Sequence, residues 1–164
     1  MPTAVQGPQS LEQSALAGVI SGAITDEQTI QINLSSGSST TLIGSFYGSN
    51  IDVADVAAFG GGPGPTEASV FGHEVAEQFA KQVHGLGFDP AHSAGQAAED
   101  RISGFTRGEQ GNPSGMGGGV IRVVVPYTKD GNRIQVSILI KDGNVIGVAR
   151  TKPTPCTSAK PCTR

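Results

Sequence analysis

The tetrapeptide KDGN occurs twice, at Lys129–Asn132 and Lys141–Asn144, and it constrains the fold more than any other feature of this sequence. Each copy stands between runs in which apolar and polar residues alternate, the pattern of a strand with one buried face. Asp-Gly between two such runs is among the best short-range signals of a tight hairpin turn. The sequence therefore predicts a three-stranded antiparallel meander built from VIRVVVPYT, RIQVSILIK and VIGVART.

Strands are also expected near the N-terminus. QTIQINL alternates apolar and polar residues, and TTLIGSFYG follows it after the turn-forming SSGSS, so the two are expected to form an N-terminal β-hairpin. NIDVADVAAF is expected to be a further extended segment. Before these strands, LEQSALAGVISGAI is compatible with a short helix, and residues 1–24 are expected to be flexible or partly helical.

Between the two groups of strands, the apolar residues follow helical spacing. TEASVFGHEVAEQFAKQVHG starts with Thr66 as a suitable N-cap, and glycines follow His84, so a helix is predicted between them. A second helix is predicted with Asp89 as its N-cap and Pro90 at its first position, ending before Gly104. The short connection makes the two helices antiparallel neighbours.

The order of strands, two helices and strands predicts an α+β domain over residues 25–152, with a flexible tail at 153–164. Cys156 and Cys162 in that tail are expected to be exposed thiols, with a small disulfide loop as the alternative. The formal net charge is −3 and no basic cluster exists, so a nucleic-acid partner is not expected. No apolar run approaches the roughly 20 residues that a membrane span requires.

The helical pair contains all three histidines of the chain and the main candidates for chemistry. His73 and Glu77 stand at i and i+4 on one helix face, so both can reach one cation. Glu74 stands where the H-E-x-x-H zinc hydrolases have the general base that activates water. The second helix offers two further metal ligands, Glu99 or His92. When the two helices are folded together, Glu99 is expected opposite His73 and Glu77, and His92 is expected nearer the C-terminal part of the first helix. Zinc is the expected metal, and a carboxylate-rich ligand set also suits manganese or iron.

Two points remain open from the residues alone. Tyr47, Tyr127, Arg101 and Arg107 are all candidates to stabilise a developing oxyanion. The motif also has an alternative interpretation as a solvated helix edge in a non-catalytic binding or structural module of a secreted assembly, and His84 at the helix C-terminus is expected to be structural.

The run GHEVAEQ…AHSAGQAAE resembles zincin-like metallopeptidase domains found as C-terminal toxin modules of large bacterial secreted proteins, including Rhs-type toxins. The resemblance covers roughly residues 45–107, and the chain departs from the family by having Glu77 in place of the second histidine. It implies a soluble, exported toxin domain that hydrolyses a peptide or amide bond of a protein substrate. It also implies His73 as a metal ligand, Glu74 as the base and an immunity-type protein as a partner.

Overall fold

The structure is a computed structural model that describes residues 11–25, 27–158 and 161–162. It confirms the expected α+β class. The helices are α1 (Leu11–Thr25), α2 (Val53–Ala57), α3 (Glu67–His84) and α4 (Phe88–Ser103). The strands are β1 (Asn33–Ser35), β2 (Gly44–Ser45), β3 (Asn50–Asp52), β4 (Thr106–Arg107), β5 (Ser114–Gly115), β6 (Ile121–Lys129), β7 (Asn132–Lys141), β8 (Asn144–Arg150) and β9 (Thr154–Pro155).

The predicted meander is present, because β6, β7 and β8 pair antiparallel in sequence order. Asp130 and Asp142 both have φ 50°, and the glycines after them have φ 72° and 77°. Two consecutive residues with positive φ define the type I′ turn, which Asp-Gly adopts readily. The short strands β4 and β5 pair with β6, and β9 pairs with β7, so that the sheet has six strands.

The C-terminal segment is tied to this sheet at its start. β9 pairs with the first residues of β7, and the Cys156 backbone N–H donates to the carbonyl of Gly131. Cys156 and Cys162 form a disulfide, so the expectation of free thiols is wrong. The alternative of a small disulfide loop describes this end of the chain correctly.

The second sheet is small and corrects the predicted strand pairing. Its order is β1-β3-β2, with β2 and β3 as the N-terminal hairpin and β1 parallel to β3. The prediction that QTIQINL and TTLIGSFYG form a hairpin with each other is therefore wrong. The reason is Asp52, whose buried carboxylate accepts hydrogen bonds from the backbone of Gly37 at 3.0 Å and of Ser38 at 2.6 Å. These bonds fold the SSGSS segment against β3 and away from a hairpin turn.

Asp52 also ends the strand that was expected to continue to Phe59. Its carboxylate accepts hydrogen bonds from the backbone N–H groups of Ala54 at 3.0 Å and Asp55 at 3.2 Å, which makes it the N-cap of α2. A side chain that satisfies the first free N–H groups of a helix favours helix over strand at that point. The extended interpretation of NIDVADVAAF is thus correct only up to Asp52.

The two long helices follow the predicted bounds closely. α3 starts with a capping box in which Thr66 and Ser69 each accept a hydrogen bond from the other's backbone N–H. It ends at Gly85, which is left-handed at φ 64°. The N-cap of α4 is Gly87 rather than Asp89, and Asp89 lies in the first turn of the helix. α3 and α4 pack against each other, as predicted from their short connection.

The hydrophobic core is formed by β3, α2, α3 and one face of the meander. α1 contacts α3 and α4, yet none of its residues is buried. Among the described residues, no helix combines the length and the apolar character that crossing a bilayer would require. The buried core residues are Ile51, Val56, Phe59, Val70, Val75, Val123, Val125, Tyr127, Ile134, Val136, Ile138 and Val145.

Candidate functional site

His73, Glu77 and His92 bring three possible metal-ligand atoms together between α3 and α4. His73 Nε2 lies 3.6 Å from Glu77 Oε2 and 3.2 Å from His92 Nδ1. His92 Nδ1 lies 2.7 Å from Glu77 Oε2. Ligand atoms around a tetrahedral zinc ion are about 3.3 Å apart, given bonds of about 2.0–2.2 Å. The donor types and their spacing therefore fit a divalent cation after small side-chain adjustments.

The two helices meet in a register that differs from the expected one. Gly95 lies against His73, at the depth where Glu99 was expected. A Cβ on Gly95 would lie 2.7 Å from His73 Cδ2 and 3.0 Å from the His73 carbonyl oxygen, so only glycine permits this approach. His92 consequently reaches Glu77 and His73, and the expectation that it lies near the C-terminal part of α3 is wrong.

Glu99 lies on the opposite edge of the His73 ring and contributes no atom to the group of three. Its Oε2 is 2.9 Å from His73 Nδ1 and accepts a hydrogen bond from Arg107 at 3.1 Å. Its Oε1 accepts a hydrogen bond from the Tyr127 hydroxyl at 2.5 Å. A carboxylate that accepts the Nδ1 proton of an imidazole fixes the ring and leaves Nε2 free for a metal. The geometry thus gives Glu99 the position of a group that orients His73.

The buried charges of this cluster hold one another in place. Burial alone would lower the pKa of His73, but the contacts with Glu77 and Glu99 outweigh it and raise that pKa to about 9. Burial would raise the pKa of Glu77, yet the hydrogen bonds from His73 and His92 bring it to about 2. The two carboxylates thus stabilise a positive charge at His73. A divalent cation bound to His73 Nε2 would take the place of the proton there.

Glu74 is half-buried and lines the same cavity of about 200 Å³ as His73 and His92. Its carboxylate packs against Gly44, where an added Cβ would lie only 1.8 Å from Glu74 Oε2. Burial raises the pKa of Glu74 to about 7, and the positive charge of His73 opposes part of that rise. A carboxyl group with a pKa near neutrality suits the role of general base.

The apolar wall of the cavity includes a strained turn that the sequence did not signal. Ile43 has φ 60°, a conformation that β-branched residues rarely adopt. It is the central residue of a γ-turn in which the Gly44 N–H donates to the Leu42 carbonyl at 2.7 Å. The Asp55 carboxylate accepts from the Ile43 N–H at 2.9 Å, and the Asp52 N–H donates to the Ile43 carbonyl at 2.7 Å. These bonds hold Ile43 and Leu42 over the cavity.

Only two of the four residues that were candidates to stabilise an oxyanion line the cavity. Arg107 and Tyr127 line the cavity, whereas Tyr47 and Arg101 do not. His84 lies exposed at the end of α3 with its ring 5.3 Å from that of Phe79, outside the group of three. Its expected structural role is compatible with this position.

No protein-family model, curated protein or solved structure matches this chain. The resemblance to zincin-like toxin domains therefore stays a prediction that depends on the residues quoted for it.

Proposed function

We propose that this chain is a metal-dependent hydrolase of peptide or amide bonds, with zinc as the first candidate metal and manganese or iron as alternatives. One observation carries the proposal: His73 Nε2, Glu77 Oε2 and His92 Nδ1 converge beside a cavity that Glu74 also lines. Two imidazoles and one carboxylate are donors that zinc accepts, and non-haem iron enzymes also use this set.

A bound divalent ion would supply a Lewis acid that polarises the carbonyl of the bond to be cut. His73 is held for this purpose by its hydrogen bond to Glu99. Glu74 takes a proton from the attacking water and passes it to the leaving nitrogen. Arg107 lines the cavity and provides positive charge for the oxyanion that develops on the carbonyl oxygen.

The proposed setting is an exported bacterial toxin module that meets an immunity-type protein partner. The disulfide between Cys156 and Cys162 is compatible with the proposed export, because disulfides persist mainly in oxidising compartments. The immunity-type partner is proposed from the resemblance alone.

The proposal is tested with reduced, alkylated casein as an unfolded protein substrate and mass spectrometry as the readout. The zinc-loaded chain is expected to cut casein. Glu74→Gln keeps the shape of the side chain but cannot accept the proton, so it should bind zinc normally and cut at least about 100-fold more slowly.

Zinc binding without any cleavage would contradict the proposed hydrolase. That result would favour the alternative function, a non-catalytic binding or structural module of a secreted assembly. Equal cleavage by the native chain and Glu74→Gln would place the base elsewhere.

A further inference from the structure

Phe46, Tyr47 and Phe88 form a continuous strip of rings at the surface, called the aromatic strip below. The chain has only six phenylalanines, two tyrosines and no tryptophan, so three rings in one exposed place are a notable concentration. The Phe46 ring meets those of Tyr47 and Phe88 edge to face, with centroids 5.2 and 5.5 Å apart. Tyr47 is 86% exposed and Phe88 is 47% exposed.

The aromatic strip is fixed to α3 by polar contacts of its backbone. The Lys81 ammonium donates to the carbonyl oxygens of Phe46 and Tyr47, and it lies 5.0 Å from the Phe46 ring centroid. Gln78 Nε2 donates to the Ser45 carbonyl at 3.2 Å. Exposed, contiguous apolar side chains of this kind are typical of interaction sites on protein surfaces.

The aromatic strip adjoins the candidate metal ligands directly. The Phe88 ring stacks on the His92 ring, with centroids 5.2 Å apart and planes 13° apart. The segment that carries Phe46 also carries Ile43, which lines the cavity, and Gly44, which contacts Glu74. One stretch of chain therefore runs from the cavity, past the proposed base, to the aromatic strip.

We propose that the aromatic strip is a substrate subsite for an aromatic or large aliphatic side chain of an unfolded polypeptide, next to the bond that is cut. This inference rests on the proposed function and names its substrate class. The occupant is apolar because the strip offers ring faces and edges, and the Lys81 ammonium beneath it is already bound to carbonyl groups. A side chain placed there gains apolar burial and edge-to-face ring contacts.

The first experiment uses a pool of random decapeptides and the zinc-loaded protein. Native protein should cut beside aromatic or large aliphatic residues at one fixed position from the bond. Tyr47→Ala and Phe88→Ala should each reduce that preference about 2-fold to 10-fold, the range expected from loss of one aromatic contact. Ile146→Ala, a matched control at a residue that is 53% exposed on β8, should leave it unchanged. Zinc content is measured for every variant.

Cleavage without such a preference would overturn the subsite and leave the proposed function intact. Tyr47→Ala separates the subsite from the metal site, because the Tyr47 ring packs on Phe46, whereas the Phe88 ring stacks on the candidate ligand His92. A preference that persists in both strip variants with native zinc content would also overturn the subsite.

The second experiment does not depend on cleavage. Zinc-loaded Glu74→Gln is titrated with N-acetyl-Phe-Phe-amide, N-acetyl-Ala-Ala-amide and cellotetraose while the aromatic ring signals are followed by NMR. Only the phenylalanine dipeptide should shift the Tyr47 and Phe88 signals, with weaker binding to Tyr47→Ala. Equal shifts with the alanine dipeptide, shifts with the oligosaccharide instead, or no shifts at all would overturn the subsite. If these shifts appear as expected but the native zinc-loaded protein cuts no peptide, the proposed function is overturned and binding of apolar side chains at the aromatic strip still stands.

Discussion

Several residues of the site are charged although they are buried, and an apolar side chain in the same place would not lose the hydration of a charge. Glu77 is 3% exposed and Glu99 is 1% exposed, with His73 between them. Burying ions costs free energy that their mutual attraction often only balances. Each charge in this cluster is nevertheless paired, and the pairing leaves His73 Nε2 directed at Glu77 and His92. This arrangement could hold a divalent cation.

Glu99→Gln tests the role of the carboxylate that orients His73. The variant keeps an acceptor for the His73 Nδ1 proton but loses its negative charge, so zinc should bind about 10-fold to 100-fold more weakly. Tyr127→Phe removes only the hydroxyl on the other carboxylate oxygen and should cost less. Both are measured by competition with a chelator, and native affinity in Glu99→Gln would show that Glu99 does not support the site.

Glu74→Gln should also stabilise the metal-free protein at alkaline pH. The pKa of Glu74 rises from 4.5 to about 7 in the folded chain, so the folded state holds this proton more tightly than the unfolded state does. Stability therefore falls between pH 4.5 and pH 7, and the cost is complete above pH 7.

The neutral amide avoids that cost, so the melting temperature of Glu74→Gln should exceed the native value at pH 8 but not at pH 4. Each kcal/mol regained would correspond to about 2–4 °C in a chain of this size. A melting temperature that stays at or below the native value at pH 8 would contradict the burial of this charge.

Among the helices and strands, some could be predicted from short sequence signals and others could not. The meander and the bounds of α3 could be predicted because Asp-Gly turns and helix caps act within a few residues. The pairing of β1 with β3 could not be predicted, because Asp52 of β3 organises it through hydrogen bonds to a segment distant in sequence. The register of α3 on α4 also escaped prediction, because it is set by the contact between Gly95 and His73.

Asp52→Asn tests whether this carboxylate organises the small sheet. Burial would raise the pKa of Asp52, but the hydrogen bonds from Ser38, Gly37, Asp55 and Ala54 hold it below the ordinary 3.8. Its stabilising contribution is therefore present above pH 3.8 and is lost as the pH falls through the lower folded pKa.

The variant should lose about 2 kcal/mol of stability at pH 7, and the difference from the native chain should shrink in acid. Urea unfolding at several pH values measures it. Asp130→Asn is the control, since Asn-Gly forms the same turn. If Asp52→Asn has the same free energy of unfolding as the native chain at pH 7, the role assigned to Asp52 is contradicted.

Gly95→Ala tests the helix contact that sets the register of the site. The added methyl group would collide with the His73 ring and backbone, so the helices must separate. We expect a loss of about 1–3 kcal/mol and weaker zinc binding. Gly18→Ala in α1 is the matched control, because nothing lies within 4 Å of the added atom. Zinc binding unchanged in Gly95→Ala would show that the close approach is not needed.

In the whole molecule, the cavity closes between parts of the chain that are far apart in sequence. His73 and Glu74 come from α3, His92 from α4, and the facing apolar wall includes Val123 and Ile138 of the meander. The motif made His73, Glu74 and Glu77 predictable as a local set. The choice between Glu99 and His92 depended on the packing of two helices, and no local pattern contained it.

The most direct measurement is calorimetric titration of the chain with zinc, comparing His92→Ala with His84→Ala. Both variants remove one of the three histidines, but only His92 belongs to the ligand group. The native chain and His84→Ala should each bind one zinc ion with equal affinity. His92→Ala should bind more weakly by more than the roughly 100-fold that loss of an orienting group costs. Native affinity in His92→Ala, or its loss in His84→Ala, would contradict the proposed metal site.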